Sequence, residues 1–136
     1  RAIAHDIEIN DNGIKHPIYK NKKKKFNTPA FNFDEVATLP ENSTLLASNP
    51  TNKVQGVNFK YGISDIWGIQ YHPEITYSKM INLIHFRKDR LIEKKAFSDQ
   101  SEIDQHVKII EKENKVSDKN SRMQELKNWL DYLNAN

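Results

Sequence analysis

Trp67-Gly68-Ile69-Gln70-Tyr71-His72-Pro73-Glu74 decides how the rest of the sequence reads. Ile66 to Tyr71 reads as a strand that delivers His72 at its end, and a carboxylate follows two residues later. In an extended segment, side chains i and i+2 project to the same side, so Glu74 can reach the imidazole of His72. Pro73 fixes its own φ and keeps His72 out of the helical region. This arrangement suits a base and its orienting group: the carboxylate holds one ring N–H, and the other nitrogen takes a proton from a nucleophile. The nucleophile is absent from this stretch, and a chain without cysteine cannot supply a thiol.

Upstream of the octet the chain is rich in strands and turns. Val54 to Phe59 and Thr44 to Ser48 read as strands, separated by the turn residues Asn49-Pro50-Thr51-Asn52, and Tyr61-Gly62-Ile63-Ser64 makes a hairpin turn. Pro29 to Phe33 reads as a short aromatic strand, with a turn at Leu39-Pro40-Glu41-Asn42. Ala2 to Asn10 alternates with period two through Ile7 and Ile9, then stops at Asp11-Asn12-Gly13.

Downstream, after Tyr77, the period becomes helical. Met80, Ile81, Leu83, Ile84, Leu91 and Ile92 predict one helix running into Lys94. Ser101 is a candidate N-cap for a second, with Ile103, Val107 and Ile110 on one stripe. Val116 to Ser121 reads as a polar linker, and the last helix carries Met123, Leu126, Leu130 and Leu133 on a stripe expected to pack, with Trp129 beside it. Strands followed by helices suggest an α/β or α+β unit whose other half is missing.

Composition bounds what else the chain can be. The 136 residues have 21 Lys+Arg against 18 Asp+Glu, no cysteine and 37% hydrophobic side chains. That is thin against the roughly 45–50% apolar share, glycine counted, of ordinary soluble chains, and again suggests part of something larger. Disulfide scaffolds and thiolate zinc sites are excluded within these residues. Neither a membrane-length apolar run nor a signal-peptide pattern is visible, so a soluble, cytoplasmic protein without a membrane partner is expected. Lys15, Lys20 and the run Lys22 to Lys25 concentrate positive charge. The run lacks interleaved arginines or aromatics for reading bases, so a solvated loop is expected rather than a nucleic-acid site. His5, His16, His85 and His106 show no metal-ligand spacing, and no metal is expected.

The octet closing on His72-Pro73-Glu74 resembles the signature that completes the triad of class I glutamine amidotransferases, the glutaminase domains that serve GMP synthase and carbamoyl-phosphate synthetase. Other segments agree: Phe33-Asp34-Glu35-Val36 ahead of Leu39-Pro40, and Ala47-Ser48-Asn49 followed by Val54-Gln55-Gly56. The tail Arg122-Met123-Gln124-Glu125-Leu126-Lys127-Asn128-Trp129-Leu130 is similar to the C-terminus of small stand-alone members.

The resemblance implies a three-layer, flavodoxin-like α/β fold. This chain would be its C-terminal part, with a mixed sheet and a helical tail: residues 1–97 in the amidotransferase domain and 98–136 as a helical extension packing on it. The nucleophilic cysteine, at a strand-to-helix elbow, would lie on a missing N-terminal half. His72 would be the catalytic base and Glu74 its orienter, acting on glutamine or another γ-glutamyl amide, with no cofactor and with a synthase or ammonia acceptor as a possible partner. Phe31, Asn32 and Phe33 become candidates for substrate contact, although relatives such as GMP synthase carry His-Gly where this chain has Asn32-Phe33. A γ-glutamyl hydrolase of the same superfamily, and a catalytically inert interaction module, are the alternative readings.

Overall fold

The computed structural model describes residues 2–32 and 34–135. Five strands form one sheet in the order β2-β1-β3-β4-β5: β1 (Ala2–Ile9), β2 (Lys25–Ala30), β3 (Thr44–Ser48), β4 (Gly56–Tyr61) and β5 (Ser64–Ile69). All of its pairings are antiparallel. The mixed sheet expected from sequence is therefore corrected for these five strands to an antiparallel one, in which the chain from β2 passes over β1 to reach β3.

Each returning segment has a local cause. Gly62 adopts a φ of +58° in the two-residue turn between Tyr61 and Ser64, which pair with each other; a glycine at the first central position lets a tight turn follow the twist of its strands. In β1 the register slips between Ala4 and Ile7, where Asp6 takes a positive φ and its N–H donates to the Asn27 side chain at 2.9 Å. This bulge keeps Ala4, Ile7 and Ile9 in one buried cluster, while His5, Asp6 and Glu8 face water. Asp11-Asn12-Gly13, expected as a simple turn, instead opens helix α1 (Asp11–Lys15), because the Asn10 side chain accepts the Gly13 N–H and satisfies an orphan donor of the first turn. A 3₁₀ turn follows at Pro17–Tyr19. The aromatic strand expected at Pro29 to Phe33 is displaced to β2, which ends at Ala30.

The helices after β5 are α2 (Tyr77–Phe86), α3 (Lys88–Glu93), α4 (Gln100–Val116), α5 (Lys119–Arg122) and α6 (Gln124–Ala135). The single helix expected to reach Lys94 breaks at Arg87. Asp99 rather than Ser101 caps α4, its carboxylate accepting the Glu102 N–H. The expected polar linker before α6 contains α5, capped by Asp118.

Two buried clusters hold the fold. One gathers Ala2 and Ile3 with Tyr77, Met80 and Ile84 of α2 and Ile103, Val107 and Ile110 of α4. The other joins Ala4, Ile7 and Ile9 to Ile18, Tyr19, Leu46, Ala47 and Tyr71. Helix α6 reverses its expected polarity. Glu125 and Asn128 are its buried residues, whereas Trp129, Leu130 and Leu133 are about half exposed. The polar face is inward because Asn128 donates to the carbonyls of Ile18, at 2.7 Å, and Lys20, at 2.8 Å, capping the end of the 3₁₀ turn. Among the described residues no helix is long and apolar enough to cross a membrane.

Candidate active site

The chain leaves β5 at Ile69 and reaches α2 through seven residues that contain His72, Pro73 and Glu74. The start of this loop is pinned by backbone bonds. Gln70 N–H donates to the Gln55 carbonyl at 3.0 Å, and His72 N–H donates to the Pro29 carbonyl at 2.8 Å. The loop then closes on itself through Ile75 N–H and the His72 carbonyl, 3.2 Å apart. Thr76 ends it as the N-cap of α2, its hydroxyl accepting the Lys79 N–H. Pro73 is fully buried at the centre of the turn.

Within this frame, Nδ1 of His72 lies 2.7 Å from Oε1 of Glu74. The pair is solvent-accessible, with side chains 33% and 52% exposed. Nδ1 engaged by a carboxylate fixes the tautomer and leaves Nε2 to exchange a proton. Phe31, just beyond β2, stacks on the imidazole with centroids 4.5 Å apart and planes 6° from parallel. The Asn32 amide donates to both the backbone carbonyl of Gln70, at 2.7 Å, and its side-chain oxygen, at 2.8 Å. Four of the five residues singled out from sequence thus surround one loop; the fifth, Phe33, lies outside the described residues. Phe31 and Asn32 also line a cavity of about 350 Å³ with Met80, Ile84, Arg87 and Phe97.

Beneath the loop lies a polar network that sequence reasoning missed. The Tyr71 hydroxyl, buried beside His72, donates to Oε1 of Glu125 at 2.7 Å and lies 3.2 Å from the Tyr19 hydroxyl. The other oxygen of Glu125 takes a salt bridge from Lys22 at 2.9 Å, with both side chains at most 2% exposed. Lys22 also donates to the Ser121 carbonyl at 2.6 Å and sits 4.4 Å from the centre of the Phe26 ring. Burial lowers the pKa of Lys22 against the pull of Glu125, and burial raises those of Tyr19 and Tyr71. The solvated lysine loop expected from sequence is corrected accordingly: Lys22 is interior, and Lys25 opens β2 with its side chain 3.2 Å from Asp6. Arg122 completes the surroundings. Its Nη1 donates to the Pro73 carbonyl and, at 3.0 Å, to the Ile75 carbonyl.

No protein-family model matches the chain. The chain is 30% identical over 146 residues to a γ-glutamyl-L-1-hydroxyisopropylamide hydrolase from a Pseudomonas species, a match covering 96% of this chain and 49% of that protein. It is 33% identical over 67 residues to a subunit of the glutamine-hydrolysing GMP synthase of Methanocaldococcus jannaschii, covering 49% of this chain and 35% of that protein. A third match, to the glutamine-hydrolysing GMP synthase of Phocaeicola vulgatus, has 30% identity and covers 47% of this chain and 12% of that protein. The chain therefore spans about half the length of the first of these relatives and less of the others. In three dimensions it resembles a glutamine amidotransferase from Thermotoga maritima with a TM-score of 0.60 at 20% identity, over 90% of this chain and 46% of that one. That likeness shows the fold, and with the sequence matches it makes this a class I glutamine amidotransferase-like chain, related to enzymes that hydrolyse glutamine and γ-glutamyl amides.

Proposed function

We propose that this chain supplies the acid–base side of a cysteine-dependent γ-glutamyl amide hydrolysis, with the nucleophile on a segment that precedes it. The observation carrying this reading is the 2.7 Å contact between His72 and Glu74 in the loop that follows β5, on a chain with no cysteine of its own. Nε2 of His72 takes the thiol proton and the thiolate attacks the γ-carbonyl carbon. The C–N bond breaks as the imidazolium gives its proton to the leaving nitrogen, leaving a thioester. Water then attacks the thioester as His72 accepts its proton, and the C–S bond breaks as the imidazolium returns that proton to the departing sulfur, releasing glutamate and restoring the thiol. Glu74 holds the ring and stabilises its charged form throughout. With glutamine as substrate the leaving group is ammonia, passed to a synthase or acceptor; Phe31 and Asn32 border the substrate. Residues 98–136 form a helical extension to the domain in 1–97.

Release of an amine without onward transfer is the second reading. One observation favours it: the match to the γ-glutamyl amide hydrolase runs through 96% of the chain, against about half for the GMP synthases. Both readings are tested together in the full-length protein, by measuring ammonia from L-glutamine and amine from γ-glutamyl amides, each with and without His72→Ala. Replacing the base is expected to lower turnover by about 10²–10⁴-fold. Full activity in His72→Ala removes the histidine from the mechanism. A clear preference for substituted γ-glutamyl amides over glutamine selects the hydrolase.

A further inference from the structure

The His72–Glu74 loop is gripped from outside by the C-terminal helices. Glu74 sits between Pro73 and Ile75, and the carbonyls of both neighbours accept from one nitrogen, Nη1 of Arg122, across 47 and 49 residues of sequence. Pro73 has no N–H to tie the turn down itself. The loop's own backbone bond, from Ile75 to the His72 carbonyl, is long at 3.2 Å. Hydrogen bonds from a guanidinium are charge-assisted and stronger than neutral ones, so Arg122 restrains the backbone on both sides of Glu74.

Arg122 is itself held in place. Its backbone N–H donates to the Asp118 carbonyl at 2.9 Å, and the preceding Ser121 N–H donates to the Asp118 side chain. The Ser121 carbonyl accepts from buried Lys22. Three residues beyond Arg122, Glu125 takes the hydroxyl of Tyr71, the neighbour of His72. One short stretch of chain therefore meets the loop twice, on both sides of the histidine.

We propose that Arg122 is a positioning residue for catalysis: by bridging the Pro73 and Ile75 carbonyls, it fixes Glu74 where it orients the His72 imidazole. It rests on the proposed role of His72 and goes beyond it by giving the C-terminal helices a part in the reaction. Arg122 does not line the cavity that Phe31 and Asn32 border. Its loss therefore lowers kcat and leaves KM nearly unchanged, because a displacement of about 1 Å at a reacting group can cost on the order of 10²-fold in rate.

The test uses the full-length protein with γ-glutamyl-p-nitroanilide and L-glutamine as probes. Arg122→Gln, Arg122→Lys and His72→Ala are compared for kcat, KM and melting temperature. The expected result is a roughly 10- to 100-fold lower kcat in Arg122→Gln, with KM within about threefold and a folded sample. Arg122→Lys, which keeps the charge with a shorter reach and without the planar guanidinium, is expected to recover part of that loss. A folded Arg122→Gln with unchanged kcat overturns the proposal, and so does a loss that merely follows the unfolded fraction in both variants. If Arg122→Gln does not fold, Arg122→Lys decides on the same criteria, and unchanged kcat in it overturns the proposal. His72→Ala separates the two levels: if it is inactive while the Arg122 variants have unchanged kcat, only the positioning role fails. If it is fully active, the reading of the whole site fails.

Discussion

Phe31 lies flat on the imidazole of His72, 4.5 Å between centroids and 6° from parallel. The ring is thereby restrained in three directions: Glu74 holds Nδ1, Phe31 covers one face, and the His72 backbone is anchored to Pro29 at the edge of the sheet. Phe31 leaves β2 immediately after that anchor, so the strand that ties down the histidine also supplies its stacking partner. A ring held this way loses little freedom when it takes a proton, as preorganised catalysis requires.

Replacing Phe31 by Leu keeps an apolar side chain but removes the flat surface. Pairwise ring contacts are worth about 0.5–1.5 kcal/mol. Phe31→Leu in the full-length protein is accordingly expected to lower kcat/KM by about two- to tenfold, with the melting temperature nearly unchanged. Steady-state kinetics beside a thermal melt checks this; an unaltered kcat/KM would show that the stack is incidental to turnover.

Buried tyrosines make a different expectation, about alkali. Burial raises the pKa of Tyr19, Tyr71 and Tyr77 above the ordinary 10.0. Above pH 10 the unfolded chain therefore gives up these protons before the folded one does, the folded state binds more protons, and stability falls as pH rises. Each such tyrosine contributes about 1.4 kcal/mol per pH unit in that range. Lys22, whose pKa burial lowers, acts oppositely up to its ordinary 10.5, so the decline is steepest above that value. Tyr77 offers a control, since its buried hydroxyl has no hydrogen-bond partner among the described residues. Tyr77→Phe is expected to leave stability at pH 7 unchanged or higher by about 1 kcal/mol and to flatten the alkaline decline. Urea unfolding between pH 8 and pH 12 measures both, and an unchanged alkaline slope in Tyr77→Phe would sink the account.

The legible part of this molecule lies in its local patterns. Alternation through Ile7 and Ile9 reveals β1, and the octet ending in Glu74 reveals the histidine–carboxylate pair, although a turn closed from Ile75 to the His72 carbonyl, rather than the extended chain expected, brings the two side chains together. What stayed hidden depends on partners far away. Lys22 looks like one more member of a solvated run, and nothing nearby in sequence announces that Glu125, 103 residues later, will bury it. The stripe of leucines on α6 promises an inward apolar face, yet the helix turns Glu125 and Asn128 inward, because the carbonyls of Ile18 and Lys20 and the hydroxyl of Tyr71 need partners there. The spacing of Arg122 and Glu125, three apart on successive helices, carries a signal only once the loop beneath them is known. Asn10 hid α1 in a similar way, because Asp11-Asn12-Gly13 reads equally as a turn until its side-chain cap is seen.

Lys22 and Glu125 supply the last expectation. Both side chains are almost wholly buried and 2.9 Å apart, so each owes its tolerance of the interior to the other. Lys22→Met leaves the Glu125 carboxylate with the Tyr71 hydroxyl as its polar partner among the described residues, and Glu125→Gln leaves the Lys22 ammonium facing a neutral amide and the Ser121 carbonyl. Removing one member of a buried pair typically costs about 3–5 kcal/mol, because an uncompensated charge remains in the interior. The double variant Lys22→Met/Glu125→Gln strands no charge, and Gln can still accept from Tyr71. Its loss of stability is therefore expected to fall short of the sum of the two single losses by about 1–3 kcal/mol. Urea unfolding of the full-length protein and the three variants completes the cycle. Additive losses would mean that the two side chains are solvated independently, and that the interior position of the lysine contributes nothing specific to the seat of Tyr71.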